Sequence, residues 1–216
     1  MSDNGFIRVS TRCLPARRRF DYWRSFHYLI DIDVPKGAER TGFSADLLHY
    51  AGEDATSFGH VSNDDTVTRF ANSNEEFVLL SLTVSGSIEL TTKDGASCVV
   101  TPASGLVVVD STRHLETRSR GHEHVYLTLP RAAVPERTMT GIGATRDGVC
   151  FLPKGGITGI LTSHMMQIAK ENERLSPGGA AAAVKAARDL ALASLELAHS
   201  PAGVMQSDRH DHALRI

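Results

Sequence analysis

The sequence predicts an α+β fold, mainly β, in which a β-barrel or sandwich is preceded by one helix and followed by two. Between residues 76 and 130, short runs of aliphatic and β-branched residues alternate with Gly, Pro and Asp, which is typical of strands joined by tight turns. Leu80, Leu82 and Val84 are separated by hydroxyl residues, the two-residue period of a half-buried strand. After residue 155 the apolar residues recur at helical spacing, so the β-structure ends before that point.

Composition is that of an ordinary soluble protein. The chain has 216 residues, 41% of them hydrophobic and 22% charged, enough for one large domain or one domain with an appendage. No apolar run is long enough to span a bilayer and no signal-peptide core precedes the fold, so we expect a cytoplasmic protein without a membrane partner. The three cysteines lack CxxC spacing, which favours reduced thiols. The formal net charge is −2, which argues against binding of polyanions by the chain as a whole.

Residues 1–40 are predicted to form an N-terminal arm and a helix. The first 13 residues have the pattern of an arm or edge strand, and Pro15 suits the first turn of a helix because its missing N–H costs nothing there. Apolar residues then follow at helical spacing and give this helix one buried face. That face consists of Phe20, Trp23, His27 and Ile30.

Residues 41–132 are predicted to form the β-barrel. Three strands, expected at 42–50, 55–61 and 65–70, precede the long stretch of strands already described. Residues 133–154 are Gly-rich and lose the strand pattern, so they are predicted to be a crossover loop along the barrel surface or a poorly ordered one.

Residues 155–199 are predicted to form an antiparallel helix hairpin. Apolar residues recur at helical spacing after Ile157, Ser176 to Gly179 break the pattern, and an Ala-rich helix follows from Ala180 to His199. Two roles remain open on this pattern alone. The hairpin covers an open side of the barrel, or its small residues form the close contact of a dimer interface.

Three pieces of the barrel carry a resemblance to a known family. They are Leu-x-Leu-x-x-x-Gly at 80–86, Thr-Pro-x-x-Gly-Leu-Val-Val-Val-Asp at 101–110, and Leu-Thr-Leu-Pro-Arg at 127–131. Their order resembles a cupin-like (jelly-roll) half-barrel and, more narrowly, the N-terminal sensor domain of AraC/XylS-type transcription regulators. The segments at 14–24 and 67–70 fit the opening helix and a pre-barrel strand of that domain. The resemblance covers about residues 10–200.

The resemblance implies a non-catalytic domain that binds a small-molecule effector, dimerises and controls a DNA-binding module. In such regulators a linker and a helix-turn-helix module follow the sensor domain. We expect residues 200–216 to be that linker and the start of a module missing from this chain. DNA binding is therefore expected only through the missing module, and this chain alone should not bind duplex DNA specifically.

Ligand-binding candidates come from strand parity within the predicted barrel. Leu80 and Leu82 are expected in the apolar wall of the pocket, opposite the aliphatic residues of 125–129. Polar candidates are His49, His60, Arg69 and Tyr126. Arg69 stands out because a buried guanidinium needs an anionic partner, either the ligand or a carboxylate of the chain.

The dimer candidates lie on the helix hairpin, where the resemblance favours an interface in a homodimer. They are Ile160, Leu161, Met165, Ala187, Ala191 and Leu195. If this surface is the interface, a Leu195→Glu substitution should give a folded monomer.

A metal-dependent cupin enzyme is the alternative function, with His122 and His124 as ligands on one face of a strand. The His-x-His pair follows the Pro-x-x-Gly turn, whereas in metal cupins it precedes the turn. No third His or Glu lies at the expected spacing, so both rings are interpreted as exposed and no metal or other cofactor is expected. Nucleophile motifs, a P-loop and GxGxxG are absent from the sequence. A stand-alone small-molecule-binding protein is a further alternative.

Overall fold

The computed structural model describes residues 5–27, 30–70, 75–144 and 148–198. The strands in these ranges are β1 Phe6–Ser10, β2 Asp31–Asp33, β3 Ala45–Ala51, β4 Ser57–Asn63, β5 Val67–Arg69, β6 Phe77–Thr92, β7 Ser97–Val100, β8 Leu106–Asp110, β9 Leu115–Pro130 and β10 Val149–Phe151. The helices are α1 Arg19–Ser25, α2 Glu136–Ala144, α3 Gly156–Glu171 and α4 Pro177–Ala198. The α+β prediction is confirmed. The linker and module start predicted at 200–216 lie outside the described residues.

All the strand pairings are antiparallel, and β6 and β9 are at their centre. The hydrogen-bonded path runs β1-β3-β4-β9-β6-β8-β10, with β5 also on β9, β2 on β5, and β7 on β6. The two central strands pair from Phe77 opposite Pro130 to Thr92 opposite Leu115. Different strands flank the two halves of β6 and β9, so this long strand pair contributes to both sides of the barrel.

A bend at a glycine in β6 lets one strand take part in both sides of the barrel. The register of β6 on β9 shifts between Thr83 and Ser85 and again between Ser85 and Ser87, as at a β-bulge. Gly86 has φ +73° within this irregular segment, and a Cβ there would lie 2.2 Å from the carbonyl oxygen of Gly121 on β9. Only glycine combines that backbone conformation with so close an approach.

We expect Gly86→Ala to lower the free energy of unfolding by about 3 kcal/mol, because it adds a backbone clash to the strain of a positive φ. Gly95 is the matched control. It has φ +85°, but a Cβ atom added there would have no neighbouring atom within 4 Å. Gly95→Ala should cost only about 1 kcal/mol. Urea unfolding followed by circular dichroism measures the stability of both variants. Equal losses of unfolding free energy would show that the β9 backbone moves away from the new methyl group at little energetic cost.

The helices α3 and α4 cover the outer face of the β6–β9 pair. Residues from both helices and both strands form one buried cluster that includes Leu80, Leu127, Leu161, Met165 and Leu195. The two helices are joined by a 2.9 Å hydrogen bond from His164 Nε2 to the carbonyl oxygen of Ala183. The hairpin is therefore part of the core of this domain.

The proposed dimer surface needs correction for this reason. Five of its six residues have no solvent-exposed area because they pack in the buried cluster shared by the helices and the central strands, namely Leu161, Met165, Ala187, Ala191 and Leu195. Ile160 is 58% exposed and remains available to a partner. A homodimer stays a prediction, but the five buried residues cannot form its interface without opening the core.

The segment 133–154 also differs from the predicted crossover loop. It contains α2, whose Met139 and Ile142 join the buried cluster under the hairpin, and β10, which pairs with β8. Helix α1 lies elsewhere on the barrel, where Phe20 packs edge-on against Phe43 at 5.2 Å between ring centroids. No helix in the described ranges is long and apolar enough to cross a membrane.

Candidate ligand-binding cavity

A cavity of about 630 Å³ lies inside the barrel. Its walls come mainly from the inward faces of β4, β6, β8 and β9, with contributions from β2, β3, β5, β7 and the end of α1. A volume of this size is typical of sites for small organic molecules. The cavity is therefore the leading candidate for a binding site.

The inward face of the central strands is the less apolar one. Leu79, Ser81 and Thr83 of β6 line the cavity, and so do His122, His124 and Tyr126 of β9. The alternate residues, among them Leu80 and Leu82, face the helix hairpin. The prediction that Leu80 and Leu82 line the pocket is therefore wrong. The most apolar face of a strand packs in the dry layer beneath the helices, and the mixed face is left for the cavity.

One side of the cavity, the polar wall, consists of Trp23, His27, His49, His122, His124 and Tyr126. The rings of His122 and His124 stack with centroids 4.6 Å apart and planes 13° apart. The Thr83 hydroxyl lies 3.1 Å from His122 Nε2. The Tyr126 hydroxyl lies 2.9 Å from His49 Nδ1. These contacts join β3, β6 and β9 through side chains within the cavity.

Trp23 of α1 and His27, two residues after the end of this helix, also line the cavity. Their ring centroids are 4.4 Å apart, and His27 Nδ1 lies 3.0 Å from the backbone oxygen of Trp23. A carbonyl oxygen only accepts hydrogen bonds, so Nδ1 carries the proton and Nε2 of the neutral ring is an acceptor. Trp23 is only 1% exposed, and its Nε1 has no hydrogen-bond partner within the described protein.

Burial keeps these imidazoles uncharged near neutral pH. It lowers the pKa of His122 to about 4. The pKa of His124 is well below its usual value, first because of burial and then because of repulsion from neighbouring histidines. Burial also lowers the pKa of His27 and of His49. It raises the pKa of the Tyr126 hydroxyl, which therefore stays protonated.

A second side of the cavity, the apolar wall, consists of Phe70, Leu79, Leu90, Val107 and Val109. These residues belong to or pack against one hydrophobic cluster that includes side chains of β6, β7, β8, β9 and β10. The cavity therefore combines a region of hydrogen-bonding groups with a region that offers only dispersion contacts.

The model of the AraC-binding-like domain matches residues 33–196, well over half of the chain. The chain belongs to the AraC-binding-like domain family. The resemblance seen in the sequence is therefore confirmed at the level of the domain.

One solved structure supports the fold of this AraC-binding-like domain, and two others align over shorter stretches. The AraC-like transcriptional activator CuxR aligns with a TM-score of 0.66 at 18% identity, over 88% of this chain and 70% of that one. Ectoine synthase from P. lautus aligns at 0.32 and 16% identity, over 40% and 64% of the two chains. KdgF from Halomonas sp. aligns at 0.31 and 16% identity, over 47% and 86%. No curated protein sequence matches.

Two of the polar ligand candidates line the cavity of this AraC-binding-like domain, and two do not. His49 and Tyr126 line it. His60 faces outward, where its Nε2 lies 2.9 Å from a carboxylate oxygen of Glu123. Arg69 is exposed and binds the carboxylates of Asp31 at 3.2 Å and Glu116 at 3.1 Å. The ion-pair alternative for Arg69 is therefore the observed one.

Four residues of the cavity lining were not predicted from the sequence to lie there. His122 and His124 were expected on the surface, and Trp23 and His27 were assigned only to a helix face. The signal for the first two was strand parity, because the inward candidate Tyr126 shares a strand face with both. Inspection of that face alone would have identified the pair.

Metal ligation was the alternative role for His122 and His124. Among the described residues no group of three or more His, Cys, Asp or Glu is placed to hold a metal ion. The two imidazole planes are only 13° apart, and the in-plane lone pairs of parallel rings do not converge on one point. The pair is better suited to stacking and to hydrogen bonds with an organic molecule.

Proposed function

We propose that this chain is the effector-sensing domain of an AraC-like transcription regulator and binds a small molecule in the barrel cavity. The observation that carries the proposal is the 630 Å³ cavity with its polar and apolar walls, inside the barrel of an AraC-binding-like domain. DNA contact is assigned to a separate module, since the formal net charge of −2 does not favour phosphate binding by this chain.

The strands β6 and β9 offer a route from the cavity to the helices. Ser81 of β6 faces the cavity, while the adjacent Leu80 packs in the cluster that holds α3 and α4. On β9, Tyr126 and Leu127 have the same relation. A ligand that favours one arrangement of these strands would therefore also favour one position of the hairpin, and so shift the population seen by an attached module.

A cavity-filling variant tests the proposal in a thermal-shift screen of small metabolites. Compounds that bind the wild-type protein at 100 times their Kd should stabilise it by about 2.7 kcal/mol. Such a gain raises Tm by about 5 to 10 °C for a domain of this size. In Ser81→Phe the new ring occupies the cavity, so we expect the same compounds to raise Tm by less than about 1 °C.

Ser97→Phe is the matched control, because Ser97 is exposed on β7. This variant should respond to each compound as the wild type does. Equal responses in Ser81→Phe and the wild type would place binding outside the barrel and contradict the proposal.

A further inference from the structure

We propose that the effector is an uncharged molecule with an apolar body and a polar group that hydrogen-bonds at the polar wall. This inference rests on the proposed function and specifies the chemistry of its ligand. It follows from the charges around the cavity and from its two walls, which are independent observations.

The part of the cavity lining that the structure describes has no cationic side chain that could neutralise an anion. Of the described residues that line it, only Glu75 and Glu76 carry a full charge. Both are exposed, and Glu76 lies 3.8 Å from Arg131 in an ion pair. A carboxylate or phosphate bound deeper would lose its hydration without gaining a cationic partner, which is a heavy cost in a site of low dielectric.

Cations are also disfavoured at the polar wall. The polar partners of its rings are neutral, with the Thr83 hydroxyl on His122 and the Tyr126 hydroxyl on His49. The carboxylate of Glu123, on the same strand as His122, faces outward to His60. Burial lowers the pKa of all four histidines in this wall, which is the response of a site that does not stabilise positive charge.

The polar wall favours a polar group on the ligand beside its apolar body. Its tyrosine hydroxyl and imidazole rings lie in the cavity lining. A wholly apolar molecule against this wall would displace water from these groups without replacing its hydrogen bonds. A neutral imidazole has one donor and one acceptor nitrogen and a hydroxyl can do both, so an uncharged amide, carbonyl or hydroxyl group on the ligand can pair with this wall.

The apolar wall indicates the chemistry of the remainder of the ligand. Leu79, Val107 and Val109 present no polar side-chain atoms to the ligand, so a polar body there would lose hydration without compensation. An aliphatic or aromatic body of one or two rings fits both this wall and a volume of about 630 Å³.

Three planar probes of nearly equal size differ in charge, so a comparison of their affinities reports the effect of ligand charge. Benzamide is neutral, benzoate is an anion and benzamidinium is a cation at pH 7.5, and isothermal titration calorimetry gives the affinity of each. We expect benzamide to bind at least tenfold more tightly than either ion. An ion that binds as tightly as benzamide overturns the inference and leaves the proposed function standing. If none of the three binds at millimolar concentration and the thermal-shift screen also fails, both are overturned.

A pair of variants tests the placement of the ligand at the polar wall. His124→Gln alters a cavity residue, and His60→Gln alters a histidine on the outward side of the neighbouring strand. We expect the first to weaken benzamide at least threefold and the second to leave its affinity unchanged. Equal effects from the two variants would contradict the placement of the ligand at this wall.

Discussion

Leu195→Glu is expected to lower the free energy of unfolding by more than about 4 kcal/mol, or to prevent folding altogether. Leu195 has no exposed area and packs in the cluster shared by α4 and the central strands. A carboxylate there must be desolvated in an apolar layer, and the lost leucine also leaves a packing defect. Urea unfolding followed by circular dichroism measures the change, with light scattering to report association.

Leu197→Glu is the control for this prediction. It introduces the same charge two residues later on α4, where the leucine side chain is 57% exposed. Its effect on the free energy of unfolding should stay within about 0.5 kcal/mol. A folded Leu195→Glu monomer of wild-type stability would instead place the hairpin outside the core and restore the interpretation of Leu195 as an interface residue.

Stability should also decrease as the pH falls from about 6.5 to 4. His122 is 2% exposed, and burial lowers its pKa to about 4, whereas a histidine in an unfolded chain titrates near 6.5. In this window the unfolded chain binds the proton and the folded one does not, so protonation favours unfolding. The contribution of His122 is complete above the unfolded pKa, and up to about 3 kcal/mol is lost by the lower limit. His124 acts in the same direction.

Urea titrations between pH 7.5 and 4.5 measure this effect. In His122→Gln the group that titrates is absent, so the decline should be shallower than in the wild type. His114→Gln removes a histidine that is exposed, and its pH profile should match that of the wild type. An unchanged slope in His122→Gln would assign the acid sensitivity to other groups and contradict the contribution of His122.

Periodicity predicted the strands well but not the direction in which their faces point. Alternation correctly grouped Leu80 with Leu82, yet both faces of β6 are covered, one by helices and one by the cavity. A ligand cavity needs polar groups, so its wall is the mixed face that includes Ser81. The choice depends on where the distant hairpin packs, and no local pattern contains that information.

Short elements stabilised by distant partners were also missed. The three residues of β10 form a strand because they pair with β8, and α2 is held by burial of Met139 and Ile142. Both lie in a Gly-rich segment whose local pattern is weak. Trp23 and His27 were predicted on one helical face, but the helix ends at Ser25 and His27 follows it. The position of both residues at the cavity depends on the tertiary fold.

The indole N–H of Trp23 provides the most direct test of ligand binding in the barrel. The chain has one tryptophan, so an ¹H–¹⁵N spectrum contains a single indole cross-peak, from a nitrogen that has no protein partner. We expect a compound that stabilises the protein to shift this peak saturably, with the same midpoint as its calorimetric titration, and Ser81→Phe to abolish the shift. Saturable binding that leaves the indole peak in place would contradict a site in this cavity.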